Sequence, residues 1–151
     1  MMPQSLSNLF VHLVFSTKNR VSFITSTIEP ELYAYIASIL NEHGCQTILI
    51  NGMPDHVHIL FNLSRTMTLA DVVSKVKANT SRWIKTKGPD FSTFGWQSGY
   101  GAFSVGVTDK DRAISYIRAQ KTHHQKQSFQ DEFREMLQRA GIKFDERYAW
   151  D

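Results

Sequence analysis

Between Asp55 and Phe61 the chain reads Asp-His-Val-His-Ile-Leu-Phe, and a strand gives that order two distinct faces. Successive strand side chains point to opposite sides. His56 and His58 therefore share one face, while Val57, Ile59 and Phe61 point together into a core. Two imidazoles side by side on a rigid strand are an arrangement a divalent metal ion takes up. The rest of the chain must supply a sheet for this strand and an apolar cover for its valine face.

Those elements can be read in order. Residues 6–16 alternate in the same way, with Val11, Leu13 and Phe15 on one side and Phe10, His12 and Val14 on the other. The polar, basic run Thr17-Lys18-Asn19-Arg20 reads as a loop. Leu32, Ile36, Ile39 and Leu40 recur at helical spacing, which predicts a helix over about 30–43 that stops at Gly44. A second apolar strand over 46–52 meets the histidine strand through Gly52-Met53-Pro54-Asp55, a turn that makes the two a hairpin. Thr68 and Asp71 form a capping-box pattern opening a helix to about Lys87. Arg65, Lys75, Lys77, Arg82 and Lys85 crowd that segment, as a solvated face or as contacts to a polyanion.

Residues 101–108 alternate as a fourth strand, and Thr108 with Asp111 forms a second capping pattern for a helix that extends toward Gln127. A last helix over 129–140 places Phe133, Met136 and Leu137 inside. The order is strand, helix, strand, strand, helix, strand, then helices. It predicts an α+β fold, a ferredoxin-like βαββαβ antiparallel sheet with additional C-terminal helices, as one domain over residues 1–151. The first and third strands are then central, which puts His56 and His58 on the stiffest part of the sheet.

Composition narrows the chemistry. The single cysteine, Cys45, excludes an internal disulfide and a thiolate zinc site and reads as a small buried hydrophobe. No leader-like segment and no run of membrane-spanning length occur, so the expected setting is the cytoplasm without a membrane. No Gly-rich phosphate loop is present, so no nucleotide cofactor is expected. A net charge of +3 is compatible with a polyanionic partner.

Tyr116 and Gln120 stand four apart and so share a helix face. A phenol can act as a covalent nucleophile, and an amide carbonyl can ligate a metal. The spacing by itself also fits a packing tyrosine and a solvated glutamine.

Taken together, these pieces resemble a family. Asp55-His56-Val57-His58 followed by Tyr116-x-x-x-Gln120 is similar to the HUH single-strand transposases of the smallest bacterial insertion sequences, the IS-two-hundred-like group. Phe10-Val11-His12-Leu13-Val14-Phe15 with Lys18-x-Arg20, the segment from Trp96 to Val105, and His123-His124-Gln125-Lys126-Gln127-Ser128-Phe129 resemble further family segments in the same order. The resemblance implies that Tyr116, on a C-terminal helix, attacks a DNA phosphate and forms a 5′-phosphotyrosine. It implies that His56, His58 and Gln120 hold Mg²⁺ or Mn²⁺, and that the protein is a homodimer whose tyrosine helix reaches the other subunit. The implied partner is single-stranded DNA with hairpin ends. Lys18, Arg20, Arg65, Lys75, Lys77, Arg82 and Lys85 are then expected on its phosphates, and Phe94, Trp96 and Tyr100 on its bases or in the core. Two other readings share these features: a domesticated nickase that processes genomic repeats, and a non-catalytic nucleic-acid-binding module.

Overall fold

The computed structural model describes residues 3–123 and 126–151, so His124 and Gln125 of the segment after the tyrosine lie outside the described residues. Four strands form one antiparallel sheet: β1 (Phe10–Ser16), β2 (Gln46–Met53), β3 (His56–Asn62) and β4 (Gly101–Val105). Their order is β2-β3-β1-β4, so the first and third strands are the central pair, as the element order predicts. Register follows the alternation: Val14 stands opposite His58, Ser16 opposite His56, and His12 opposite Leu60. A slip of one residue would bury the imidazoles in the apolar core, so the pattern itself pins the pairing.

Helices α1 (Ile28–Glu42) and α2 (Leu69–Lys85) cover one face of the sheet. Leu32, Ile36, Val73 and Val76 from these helices pack on Leu13, Phe15, Val57, Ile59 and Phe61. Helix α1 begins two residues before Pro30, which leaves the proline in the first turn, where its missing N–H costs nothing. Gly44 closes α1 with φ +75°. At α2 the Thr68 hydroxyl accepts from the Asp71 N–H at 3.1 Å, half of the expected capping box. Cys45 is fully buried.

Helices α3 (Lys110–Arg118), α4 (Gln120–His123) and α5 (Phe129–Arg139) follow β4. Phe129, Phe133 and Leu137 of α5 form a second, smaller core around Val14, on the histidine face. Gly101 lets α5 come this close: a Cβ there would stand 2.5 Å from Phe133 Cε1. Trp150, near the C-terminus, packs on the same cluster.

Several expectations are corrected. The fourth strand ends at Val105, and Val107–Asp109 forms a 3-10 turn instead. Asp109 then caps α3 without a side-chain bond, so the Thr108/Asp111 capping box does not form. The helix toward Gln127 breaks at Ala119, whose ψ of 7° departs from helical geometry, and resumes as α4. The stretch before β4 holds a single bridge, Thr17 with Trp96, instead of a short strand. Phe94 and Trp96 belong to the core, and Trp96 Nε1 donates to Thr80 Oγ1 at 2.9 Å. Among the described residues no helix is long and apolar enough to cross a membrane.

Lys77 is put to a use other than a phosphate contact. Its ammonium donates to the carbonyls of Gln97 (2.8 Å), Ser98 (3.2 Å) and Gly99 (2.6 Å), under the rings of Phe15 and Tyr100. Burial lowers its pKa to about 8. Lys77→Met should therefore cost about 1–3 kcal/mol in urea unfolding, because carbonyls lose their donor. Lys75→Ala, on the exposed side of the same helix, should stay within about 0.5 kcal/mol.

Candidate active site

The site is built on the face of the sheet turned away from α1 and α2. His56 and His58 are both fully buried there, and each has one ring nitrogen tied. His56 Nδ1 lies 2.6 Å from Asp55 Oδ1, and His58 Nδ1 lies 2.7 Å from His12 Nε2. His12 stands diagonal to His58 across the β1–β3 ladder, a pairing the register dictates. Burial, with the His58 ring acting the same way and Glu132 opposing, lowers the His12 pKa to about 3. A neutral His12 can accept from the Nδ1–H of His58. In that tautomer His58 Nε2 keeps a lone pair for a cation.

The two Nε2 atoms face a carboxylate that the sequence reading did not single out. Glu132 of α5 is 1% exposed, and its Oε1 lies 3.0 Å from His58 Nε2 and 3.5 Å from His56 Nε2. Gln120 Oε1 lies 3.2 Å from His56 Nε2. On its other oxygen, Glu132 accepts from the Tyr116 hydroxyl and from Gln120 Nε2, the latter at 2.9 Å. The Tyr116 ring stands edge-on to His58 and His12, with centroids 5.9 and 6.1 Å away. Four residues expected at the site thus meet around a fifth.

A signal for Glu132 was present. Phe129, Glu132, Phe133, Met136 and Leu137 follow the i, i+3, i+4, i+7, i+8 stripe of a buried helix face. A glutamate in such a stripe needs a partner inside the protein.

This donor set suits a divalent cation. One ring nitrogen each from His56 and His58 and a Glu132 oxygen all lie within 4.8 Å of one another. Neighbouring ligands in an octahedral shell with bonds of about 2.1 Å are about 3 Å apart. Two imidazoles with a carboxylate and an amide oxygen suit Mn²⁺ well and Mg²⁺ acceptably. Both imidazoles also have the anchored second nitrogen usual in metal ligands.

Tyr116 is half-buried. Burial foremost, then the charge and hydrogen bond of Glu132, raise its phenol pKa above the ordinary value, while the Gln120 hydrogen bond acts weakly the other way. The phenol is therefore protonated at neutral pH, and a carboxylate oxygen already holds its proton's hydrogen bond. Tyr116, Gln120 and the histidine pair all belong to one chain.

The expected phosphate-contacting cations divide. The Lys18–Arg20 turn follows β1 at the sheet end that carries His56, where Thr17 N–H donates to Asp55 O at 2.8 Å. Lys18 is exposed there, and Arg20 is half-buried and donates to Trp150 O at 3.4 Å. Lys75, Arg82 and Lys85 project from α2, across the sheet from the histidines, and Arg65 lies beyond the far end of β3. Arg82 donates to Asn79 Oδ1 at 2.6 Å. The structure does not bring these four to the histidine pair.

A family model described as IS200-like transposase matches residues 5–120. The ISDra2 transposase TnpA of Deinococcus radiodurans is 24% identical over 114 residues, covering 72% of this chain and 81% of that protein. Two solved structures share the fold. One, assigned as a transposase from Deinococcus radiodurans R1, gives a TM-score of 0.62 at 22% identity, covering 80% of this chain and 96% of that one. The other, a REP-associated tyrosine transposase bound to a REP hairpin, gives a TM-score of 0.62 at 15% identity, covering 82% of this chain and 74% of that one.

Proposed function

The chain belongs to the IS200-like transposase family, and from that premise we propose that it cuts and rejoins single-stranded DNA through a covalent 5′-phosphotyrosine on Tyr116. The observation that carries this reading is the convergence of Tyr116 and Gln120 with His56, His58 and Glu132 in one buried network. His56, His58, Gln120 and Glu132 would hold Mg²⁺ or Mn²⁺, which when bound polarises the scissile phosphate and offsets the charge that builds up on it. Glu132 accepts the phenolic hydrogen bond and is placed to take the proton as the Tyr116 oxygen attacks phosphorus. As the Tyr116 O–P bond forms, the P–O3′ bond breaks, the 3′ oxygen takes a proton from water and leaves as a hydroxyl, and the ester on Tyr116 retains the bond energy for rejoining. Asp55 and His12 fix the two imidazole rings. The proposed partner is single-stranded DNA folded into hairpins, with Lys18 and Arg20 at the sheet end that carries His56 and Lys75, Arg82 and Lys85 of α2 on more distant phosphates. The proposed assembly is a homodimer with two such sites.

Incubation with hairpin-ended single strands and Mn²⁺ should give a protein–DNA adduct that survives a denaturing gel and disappears when EDTA is added first. Strand binding that is indifferent to chelator, with no adduct on any strand, would instead favour the non-catalytic module. His12→Phe keeps a ring of similar size but removes the acceptor for His58. Titration calorimetry with Mn²⁺ should show affinity about 10–100-fold weaker in that variant.

A further inference from the structure

Beside the tyrosine, on the side away from the histidine pair, lies a groove of about 390 Å³ between β4, α3 and α5. That volume lies in the range of small-ligand sites, which begins near about 300 Å³. Its walls are mostly apolar, with Phe103, Ala113 and Met136, and Ser104 and Asp109 also line it. Tyr116 and His12 line its inner end, so whatever fills the groove touches the proposed nucleophile. At its rim stand Arg112 and Arg139, whose side chains are 88% and 74% exposed. Each pairs with a nearby acid, Arg112 with Asp109 at the cap of α3 and Arg139 with Glu135 of α5. Exposed pairs of this kind are weak, and a guanidinium has five N–H donors, so both can still engage phosphate. A mostly apolar groove with an aromatic wall and cationic rims matches an unpaired base and its flanking phosphates.

We infer that this groove seats the base of the nucleotide adjoining the attacked phosphate, with Arg112 and Arg139 on the flanking phosphates. The assignment rests on the strand-transfer reading and gives that site a base-reading pocket. It predicts that the cut is sensitive to the base at one neighbouring position, through contact with Phe103 and Met136.

The test is an abasic scan with the full-length protein. Single strands lacking one base at successive positions are read as affinity by fluorescence anisotropy and as adduct on a denaturing gel. In the wild type, one abasic position next to the cut should weaken binding by about tenfold or more. Ala113→Phe, which fills the slot, should bind the intact strand as weakly as the wild type binds the abasic one. That variant should lose nothing further from the missing base. Arg112→Ala with Arg139→Ala, both at exposed positions, should weaken every strand and reduce the salt slope by about two. The assignment is overturned if wild type and Ala113→Phe respond alike at every position while adduct still forms, or if the arginine pair leaves the salt slope unchanged. The strand-transfer reading then stands. Absence of adduct with every strand overturns that reading, and this assignment with it.

Discussion

Tyr116→Phe is expected to abolish the covalent protein–DNA adduct while leaving the protein folded and able to bind single strands. The ring keeps its edge contacts with His12 and His58, so packing is preserved. The hydroxyl lost donates to Glu132 Oε2, and Gln120 Nε2 remains on that oxygen at 2.9 Å. The stability cost should therefore be about 1 kcal/mol. The chemical cost is far larger, because no atom remains to form the ester. Loss of a covalent nucleophile elsewhere lowers turnover by roughly 10⁶-fold. A Tyr116→Phe protein that still forms adduct at a measurable rate would place the nucleophile elsewhere.

The second large effect is expected from His56→Ala. This ring is fully buried, lies tilted against Phe129 with centroids 4.7 Å apart and sits between Asp55 on one nitrogen and Gln120 and Glu132 on the other. Its removal takes a donor from the proposed cation site and leaves acceptor oxygens facing one another. Adduct formation should fall below detection, and Mn²⁺ should no longer stabilise the fold. In the wild type, an ion at about 100 times its dissociation constant contributes about 2.7 kcal/mol by mass action. For a chain of this length that is a rise of about 5–10 °C in melting temperature. The variant should melt at the same temperature with Mn²⁺ and with EDTA. Equal Mn²⁺-dependent rises in both proteins would remove His56 from the site.

What could be read in the sequence was what local geometry dictates. The pleat alone separates His56 and His58 from Val57 and Ile59. Helical spacing alone puts Leu32 and Ile36 inside, and a hydroxyl before an apolar helix caps it at Thr68. Tyr116 and Gln120 stand four apart on either side of a break at Ala119, yet both still reach Glu132, so the shared face was legible although the helix was not continuous. What stayed hidden depends on tertiary partners. Glu132 is one of four charged residues between Asp131 and Glu135; the apolar stripe marks it as buried, but only the docking of α5 onto Gly101 brings it to the histidines. Lys77 looks like its exposed neighbours until the carbonyls of Gln97, Ser98 and Gly99 fold over it. The failed cap at Thr108 reflects a strand that stops early and a turn that takes up the intervening residues.

The most direct test of the proposed chemistry is to find the atom that carries the DNA. The protein is incubated with Mn²⁺ and a hairpin-ended single strand, digested with nuclease and protease, and sequenced by tandem mass spectrometry. A nucleotide remnant joined through its 5′-phosphate to the oxygen of Tyr116 is the predicted result. A remnant on any other residue, or on none although the strand has been cut, would contradict it.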